Sequence, residues 1–295
     1  MAEQTNCYNA KMVDYGNGVI QFRLYDKPIF TGYSRELNDS NIDIPCMEDI
    51  EMLEDIKDNP FLDDIDYNEL KVQEEKRRKE YNQFRSLDVS SKRSKEMVYQ
   101  YSMSNEWEWF LTFTFDPQKV DSYNYDECLQ KLRKWFNNVR VRKSENIMYL
   151  CVPEQHKSGR WHFHALVSNI GSLKFADSGH TDSKGNVIYN VSDYKWGFTT
   201  ATPVKDTKRV SSYLVKYITK DLCSHTTGKR RYIQSKNLKL PVITSGIVPK
   251  DYAVELLKDV GNIVLYTKTM EMYGAENTVR YITVDVSQNL PELEH

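Results

Sequence analysis

No two cysteines of this chain stand at the spacing of a zinc knuckle or a redox pair. The five, at positions 7, 46, 128, 151 and 223, are scattered and odd in number. Neither a disulfide scaffold nor a cysteine-based metal fold is therefore expected, and a reducing compartment suits them best. No apolar run approaches the roughly 20 residues needed to cross a bilayer. The opening MAEQTNCYNA has neither the basic nor the apolar stretch of a secretory leader, so a cytoplasmic protein without membrane contact is the expectation. A GxxxxGK[ST] phosphate loop is missing as well, and with it the means for built-in ATP-driven work. No internal repeat is present.

What the chain does contain is an uneven distribution of charge. The formal net charge is −2, but residues 1–70 carry five Lys/Arg against sixteen Asp/Glu, a balance of −11. The rest then holds 35 basic and 26 acidic residues, a balance of +9. A basic body behind an acidic segment fits a nucleic-acid partner better than the average suggests. The acidic residues 38–70, interrupted by Pro45 and Pro60, read as a partly helical appendage or arm. An arm of this sign suits mimicry of DNA in a basic cleft; a solvated surface is the simpler reading and the one favoured here.

Hydrophobic periodicity orders the remainder. VIQFRLY (18–25) suggests an early strand, and residues 71–105 are helical and basic. EWEWFLTFTFDP (106–117) alternates as a strand does and stops at Pro117. Leu129, Leu132, Trp135, Phe136 and Val139 recur at helical spacing over 125–143. Strands follow at 146–154, 160–169 and 194–204, with a polar insertion or long hairpin at 171–190. TKRVSSYLVKYITKDL (207–222) reads as one helix, and mixed short elements come after 241. The expected fold is α+β, a largely antiparallel sheet with flanking helices. Its boundaries are 1–84 for an N-terminal acidic and helical appendage, 85–245 for the main domain, and 246–295 for a C-terminal extension.

Chemistry concentrates in two stretches. In WHFHALV, His162 and His164 sit at i and i+2 of a strand, so both imidazoles point the same way. Glu154 lies eight residues upstream, beyond the turn-like KSG, within reach from a neighbouring strand. Two imidazoles and a carboxylate form a mixed N/O site for a divalent ion with open positions; the alternative is a strand whose histidines are satisfied structural polars. In YLVKYITK, Tyr213 and Tyr217 share one helical face and Lys216 adjoins it. A phenol is a poor nucleophile at neutral pH. A metal-bound phosphate and a nearby lysine both ease attack by stabilising the charge that develops. Displacement at phosphorus then leaves a phosphotyrosine and a free sugar hydroxyl, conserving the bond for later rejoining. Taken alone, YxxKY equally describes tyrosines packed on a sheet.

Together with FLTFTF (110–115), these stretches resemble the three ordered motifs of HUH endonucleases, and more narrowly the rolling-circle replication initiators of small plasmids and single-stranded DNA phages. The likeness extends over SNEWEWFLTFTFDP, VPEQHKSGRWHFHAL and RRYIQSKNL, about half the chain. It implies an HUH fold with an RRM- or ferredoxin-like sheet. It also implies metal ligation by Glu154, His162 and His164, attack by Tyr213 and assistance by Lys216. Tyr217 takes the place of the second tyrosine in two-tyrosine members. A Mg²⁺ or Mn²⁺ ion, a 5′-phosphotyrosine link and a 3′-OH that primes a host polymerase are implied too, as are origin DNA in single-stranded form, a separate host helicase and a bacterial host cell. Basic residues with aromatics among them are the candidate strand contacts: Arg140, Arg142 and Lys143, then Lys229, Arg230 and Arg231 with Tyr232. Each is equally readable as a solvated charge. HUH transposases share the chemistry but are usually shorter. Relaxases place their tyrosine before the histidines, and a cleavage-silent nucleic-acid-binding module lacks a GFGFV-like signature here.

Overall fold

In the computed structural model the described residues are 7–31, 67–249, 251–252, 258, 264–272 and 277–287. Most of the acidic stretch 38–70 lies outside them. The chain divides into two compact units, Met1–Gln83 with Pro241–His295, and Phe84–Leu240. The expected α+β class is borne out as two antiparallel sheets with a few helices.

The first unit is a five-stranded sheet made by both ends of the chain. Its strands are β1 (Cys7–Asp14), β2 (Val19–Phe30), β10 (Val242–Gly246), β11 (Val264–Glu271) and β12 (Thr278–Asp285), in the order β10-β1-β2-β12-β11. Gly16 and Gly18, both at positive φ, turn the chain between β1 and β2. Alternation buries Ala10, Leu24, Ile282 and Val284 in a small core of their own. The segments expected as an N-terminal appendage and a C-terminal extension thus share one sheet, since β2 pairs with β12 along its length.

The second unit carries the chemistry. Helix α1 (Tyr67–Met103) enters it at Phe84, and the sheet follows with β3 (Trp109–Phe115), β4 (Met148–Gln155), β5 (Trp161–Ser168), β6 (Phe175–Thr181), β7 (Val187–Val191), β8 (Gly197–Pro203) and β9 (Ile233–Gln234). Its order is β6-β7-β8-β3-β5-β4-β9, and β6 with β7 forms the long hairpin expected at 171–190. Period-two alternation gives this sheet two different faces. Leu111, Phe113 and Phe115 of β3 and Trp161, Phe163 and Ala165 of β5 are buried on one of them. Helix α2 (Tyr125–Arg142) covers that face because its apolar residues repeat every three or four positions. Leu132, Trp135 and Phe136 are buried along it, with Trp135 and Phe136 edge-on to Phe113. Asn124 starts the helix, its side-chain oxygen accepting from the backbone N–H groups of Asp126 and Glu127.

The opposite face has smaller, polar residues, and α3 (Thr207–Val215) and α4 (Lys220–His225) follow β8. Here the structure corrects the reading of 207–222 as one helix. Asp206 caps α3 by accepting from the Arg209 N–H. The α-helix ends at Val215, and tight i→i−3 bonds from Lys216, Tyr217 and Ile218 carry the chain to Thr219. The Thr219 hydroxyl then caps α4 by accepting from the Leu222 N–H. Val215, Ile218 and Thr219 are β-branched, and a threonine hydroxyl gains more as a cap than inside a helix.

Gly197 fixes how closely β8 approaches β3. A Cβ on it would stand 2.0 Å from the Thr114 carbonyl oxygen, so the two backbones touch where a side chain would otherwise sit. Gly197→Ala is expected to force the strands apart, at roughly the 1–3 kcal/mol typical of overpacking. Thermal denaturation should show a melting temperature lower by roughly 3–10 °C.

Candidate active site

The site is built from rows of residues that run across the strands. Because directly paired residues share a face, the register places Glu154, His162, Thr114 and Phe198 in one row, from β4 through β5 and β3 to β8. The next row is Val152, His164, Thr112 and Thr200. Glu154 and both histidines therefore come together on one face, away from α2.

Threonines of β3 hold the two rings. Thr112 Oγ1 lies 3.0 Å from His164 Nδ1, and Thr114 Oγ1 lies 3.2 Å from His162 Nδ1. With Nδ1 occupied, each imidazole presents Nε2 as its outward atom, the arrangement second-shell partners impose on ligating histidines. In His164, Nε2 lies 2.7 Å from Glu154 Oε2. This hydrogen bond is the first cause that holds the Glu154 carboxyl below the usual carboxylate range; burial works against it, and the neighbouring imidazoles add to it. Burial is the main cause that lowers the His162 pKa, helped by His156 and His164, while Glu154 opposes it.

Both shifts act in the same direction on stability. A carboxylate with a depressed pKa stabilises the fold above its unfolded value near 4.5 and loses that contribution as pH falls through the folded value. A histidine held neutral costs stability once pH drops below its unfolded value near 6.5, where the unfolded chain takes up the proton first. Thermal melts should therefore show stability falling on acidification below about pH 6.5, and His162→Gln should flatten the upper part of that slope.

The tyrosines close over this face. The Tyr217 ring stacks on His164, with centroids 3.7 Å apart and planes at 15°. Its hydroxyl donates to the Tyr213 hydroxyl at 2.7 Å. Tyr213 meets Phe110 edge-on at 5.5 Å, and the Lys216 ammonium lies 5.7 Å from the centre of the Tyr213 ring. The two tyrosines differ in setting. Tyr213 is 44% exposed, whereas Tyr217 is half-buried; burial, then its bond to Tyr213, pushes the Tyr217 phenol well above the ordinary range. Contacts thus run from Glu154 through His164 and Tyr217 to Tyr213 and Lys216.

The donor chemistry suits a divalent ion, and two of the three expected ligands are already adjacent. Nε2 and Oε2 at 2.7 Å lie close to the roughly 3 Å that separates neighbouring ligands with bonds of about 2.1 Å to one ion. His162 is turned the other way, its ring 5.5 Å from that of His156. Among the described residues no group of three or more His, Cys, Asp or Glu is arranged to hold a metal.

The basic residues singled out in the sequence lie elsewhere. Arg140 and Arg142 end α2, on the layer that covers the other face, and Lys143 pairs with Asp193 at 3.4 Å. Lys229 pairs with Asp126 at 2.6 Å and reaches over the Tyr125 ring. The Arg230 carbonyl accepts from the Tyr125 hydroxyl, Arg231 donates to the Ser90 hydroxyl, and Tyr232 packs on Tyr101. Three residues of the site face were not singled out in the sequence: Thr112, Thr114 and Phe198. Their signal was the alternation in FLTFTF and GFTTATP, which puts hydroxyls and one large ring on the face of the histidines.

Residues 108–222 match the model of a family described as Replication-associated protein, of the ORF2 kind. The matched stretch takes in β3, Glu154, both histidines, Tyr213, Lys216 and Tyr217, and stops before Lys229. Over it, the resemblance to rolling-circle replication initiators is borne out. No curated protein and no solved structure matches the chain. Among the described residues no helix is long and apolar enough to cross a membrane.

Proposed function

We propose that the protein starts rolling-circle replication by nicking single-stranded origin DNA, with Tyr213 as nucleophile. The observation that carries this reading is the continuous contact from the Glu154–His164 pair through Tyr217 to an exposed Tyr213 beside Lys216. The Tyr213 oxygen attacks the phosphorus, and its proton passes to solvent. The bond from phosphorus to the 3′ oxygen breaks, and that oxygen takes up a proton as a free 3′-OH. The 5′ phosphate stays on Tyr213 as a phosphodiester, so a later attack by a 3′-OH reverses the step and rejoins the ends. Lys216 offsets charge in the transition state, and Tyr217 steadies Tyr213 through its hydroxyl while its ring covers His164.

Glu154, His162 and His164 would hold a Mg²⁺ or Mn²⁺ ion, with Thr112 and Thr114 orienting the two imidazoles. Such an ion draws charge from a non-bridging phosphate oxygen. The 3′-OH would serve a host polymerase, and a host helicase would supply the unpaired strand. The test mixes the protein with a random single-stranded DNA pool in Mn²⁺ or in EDTA, followed by denaturing electrophoresis. A protease-sensitive adduct that needs the metal and maps to Tyr213 is expected; its absence at saturating DNA would defeat the reading. A nucleic-acid-binding module without cleavage is the second reading, favoured by the direct Glu154–His164 bond, and would bind the pool in both conditions without an adduct.

A further inference from the structure

An open groove of about 1300 Å³ leads away from Tyr213 and Lys216. Its floor is the site face of the sheet, where Phe110, Thr112, Thr200 and Thr202 stand. Its walls are the turn of the β6–β7 hairpin and the first turns of α3. Lys184, Lys205 and Arg209 project from those walls and are exposed. None of the three is in an ion pair among the described residues; Lys205 reaches only the neutral Asn186 side chain, at 2.8 Å.

The acids on the rim are already committed to local structure. Asp182 accepts from the Lys184 and Asn186 N–H groups and from the Asn186 side chain, closing the hairpin turn. Asp206 caps α3. The groove therefore pairs unneutralised cations on its walls with hydroxyls and an aromatic on its floor. That pattern matches an unpaired strand, whose charged backbone and flat bases face different surroundings. Beyond the groove, two residues along β8 from Thr200 and so about 7 Å away, Phe198 stands 59% exposed on the same face. It is large and apolar, and it lies in the row of Thr114 and His162.

We propose that this groove seats the single-stranded DNA flanking the phosphate at Tyr213. Lys184, Lys205 and Arg209 hold the backbone there, and Phe198 stacks a base beside the histidine row. The inference rests on the nicking role given to Tyr213, and it assigns strand binding to the hairpin rather than to the basic clusters at 140–143 and 229–231. A single strand lying here is bound on one flank by charge and at its far end by stacking, so the two contributions separate by their response to salt.

The experiment measures binding of a fluorescein-labelled random single-stranded 30-mer to the full chain, by anisotropy in EDTA across a salt series. Neutralising Lys184, Lys205 and Arg209 together to Gln should weaken binding roughly 10- to 100-fold at 0.15 M salt. It should also flatten the slope of log K against log salt by about 2, at about 0.7 per lost phosphate contact. Phe198→Ala should weaken binding roughly 5- to 100-fold and leave that slope unchanged. Arg140→Gln with Arg142→Gln, on the far layer, should bind as the unaltered protein does. If the groove variants bind normally, or the Arg140/Arg142 variant loses as much as they do, the proposal is overturned while the metal-dependent adduct still stands for the nicking reading. If the unaltered protein neither binds the strand nor forms the adduct, both fall. Lys184→Gln alone, at an exposed turn, repeats the salt test should the triple variant melt early.

Discussion

Tyr213→Phe should abolish the covalent protein–DNA adduct while leaving the melting temperature and the affinity for single strands nearly unchanged. The ring of Tyr213 contributes an edge contact to Phe110, which phenylalanine keeps. The only group removed is the oxygen that forms the new bond to phosphorus, so no adduct at all is expected, rather than a partial loss. Tyr217→Phe should behave differently. It keeps the stack on His164, worth roughly 0.5–1.5 kcal/mol, and loses the hydroxyl that donates to Tyr213. Adduct formation should slow roughly 10-fold, as for loss of one hydrogen bond of about 1.5 kcal/mol, yet still map to Tyr213. Peptide mapping by mass spectrometry distinguishes the cases. An adduct on Tyr217 in the Tyr213→Phe protein would make the two tyrosines alternating nucleophiles, and the asymmetry in their burial would then not set their roles.

How far the sequence predicted this arrangement depends on how local each feature is. The histidine pair was legible because period two in a strand is fixed by backbone geometry, and His162–His164 needed no partner to share a face. Tyr213 and Tyr217 were legible as neighbours for a similar reason. Their hydroxyls meet even though the α-helix stops at Val215, because the tight turn after it keeps nearly the same direction. Thr112 and Thr114 were in view but unread. Their role depends on the β3–β5 register, and register is a pairing between distant segments that no local pattern states. Phe198 was hidden likewise, since its exposure depends on which strands flank β8. Charge counting shows where cations are but not which are already paired; Lys229 with Asp126 and Lys143 with Asp193 needed the fold to be seen. The sheet shared by both chain ends, β2 against β12 across some 250 residues, lay furthest from anything legible locally.

His162→Ala should lower metal-dependent cleavage by roughly 10³-fold, as expected when several kcal/mol of charge stabilisation at the phosphate are lost. His162 is the more informative of the two histidines to change. His164 also carries the Tyr217 stack and the Glu154 bond, so its loss would disturb the tyrosines as well. The His162 ring, half-exposed, touches Thr114 and the His156 ring, and truncating it leaves the tyrosine contacts in place. Thr112→Val then tests orientation apart from ligation: it keeps the shape of the side chain and removes the hydroxyl beside His164 Nδ1. Mn²⁺ affinity by calorimetry should fall roughly 10- to 100-fold with the tyrosine chemistry recoverable at high Mn²⁺, whereas His162→Ala should not recover. Undiminished adduct formation in EDTA would remove the ion from the mechanism altogether. The Glu154–His164 pair would then be a structural hydrogen bond, and Lys216 would be left as the cation that serves the Tyr213 phenol.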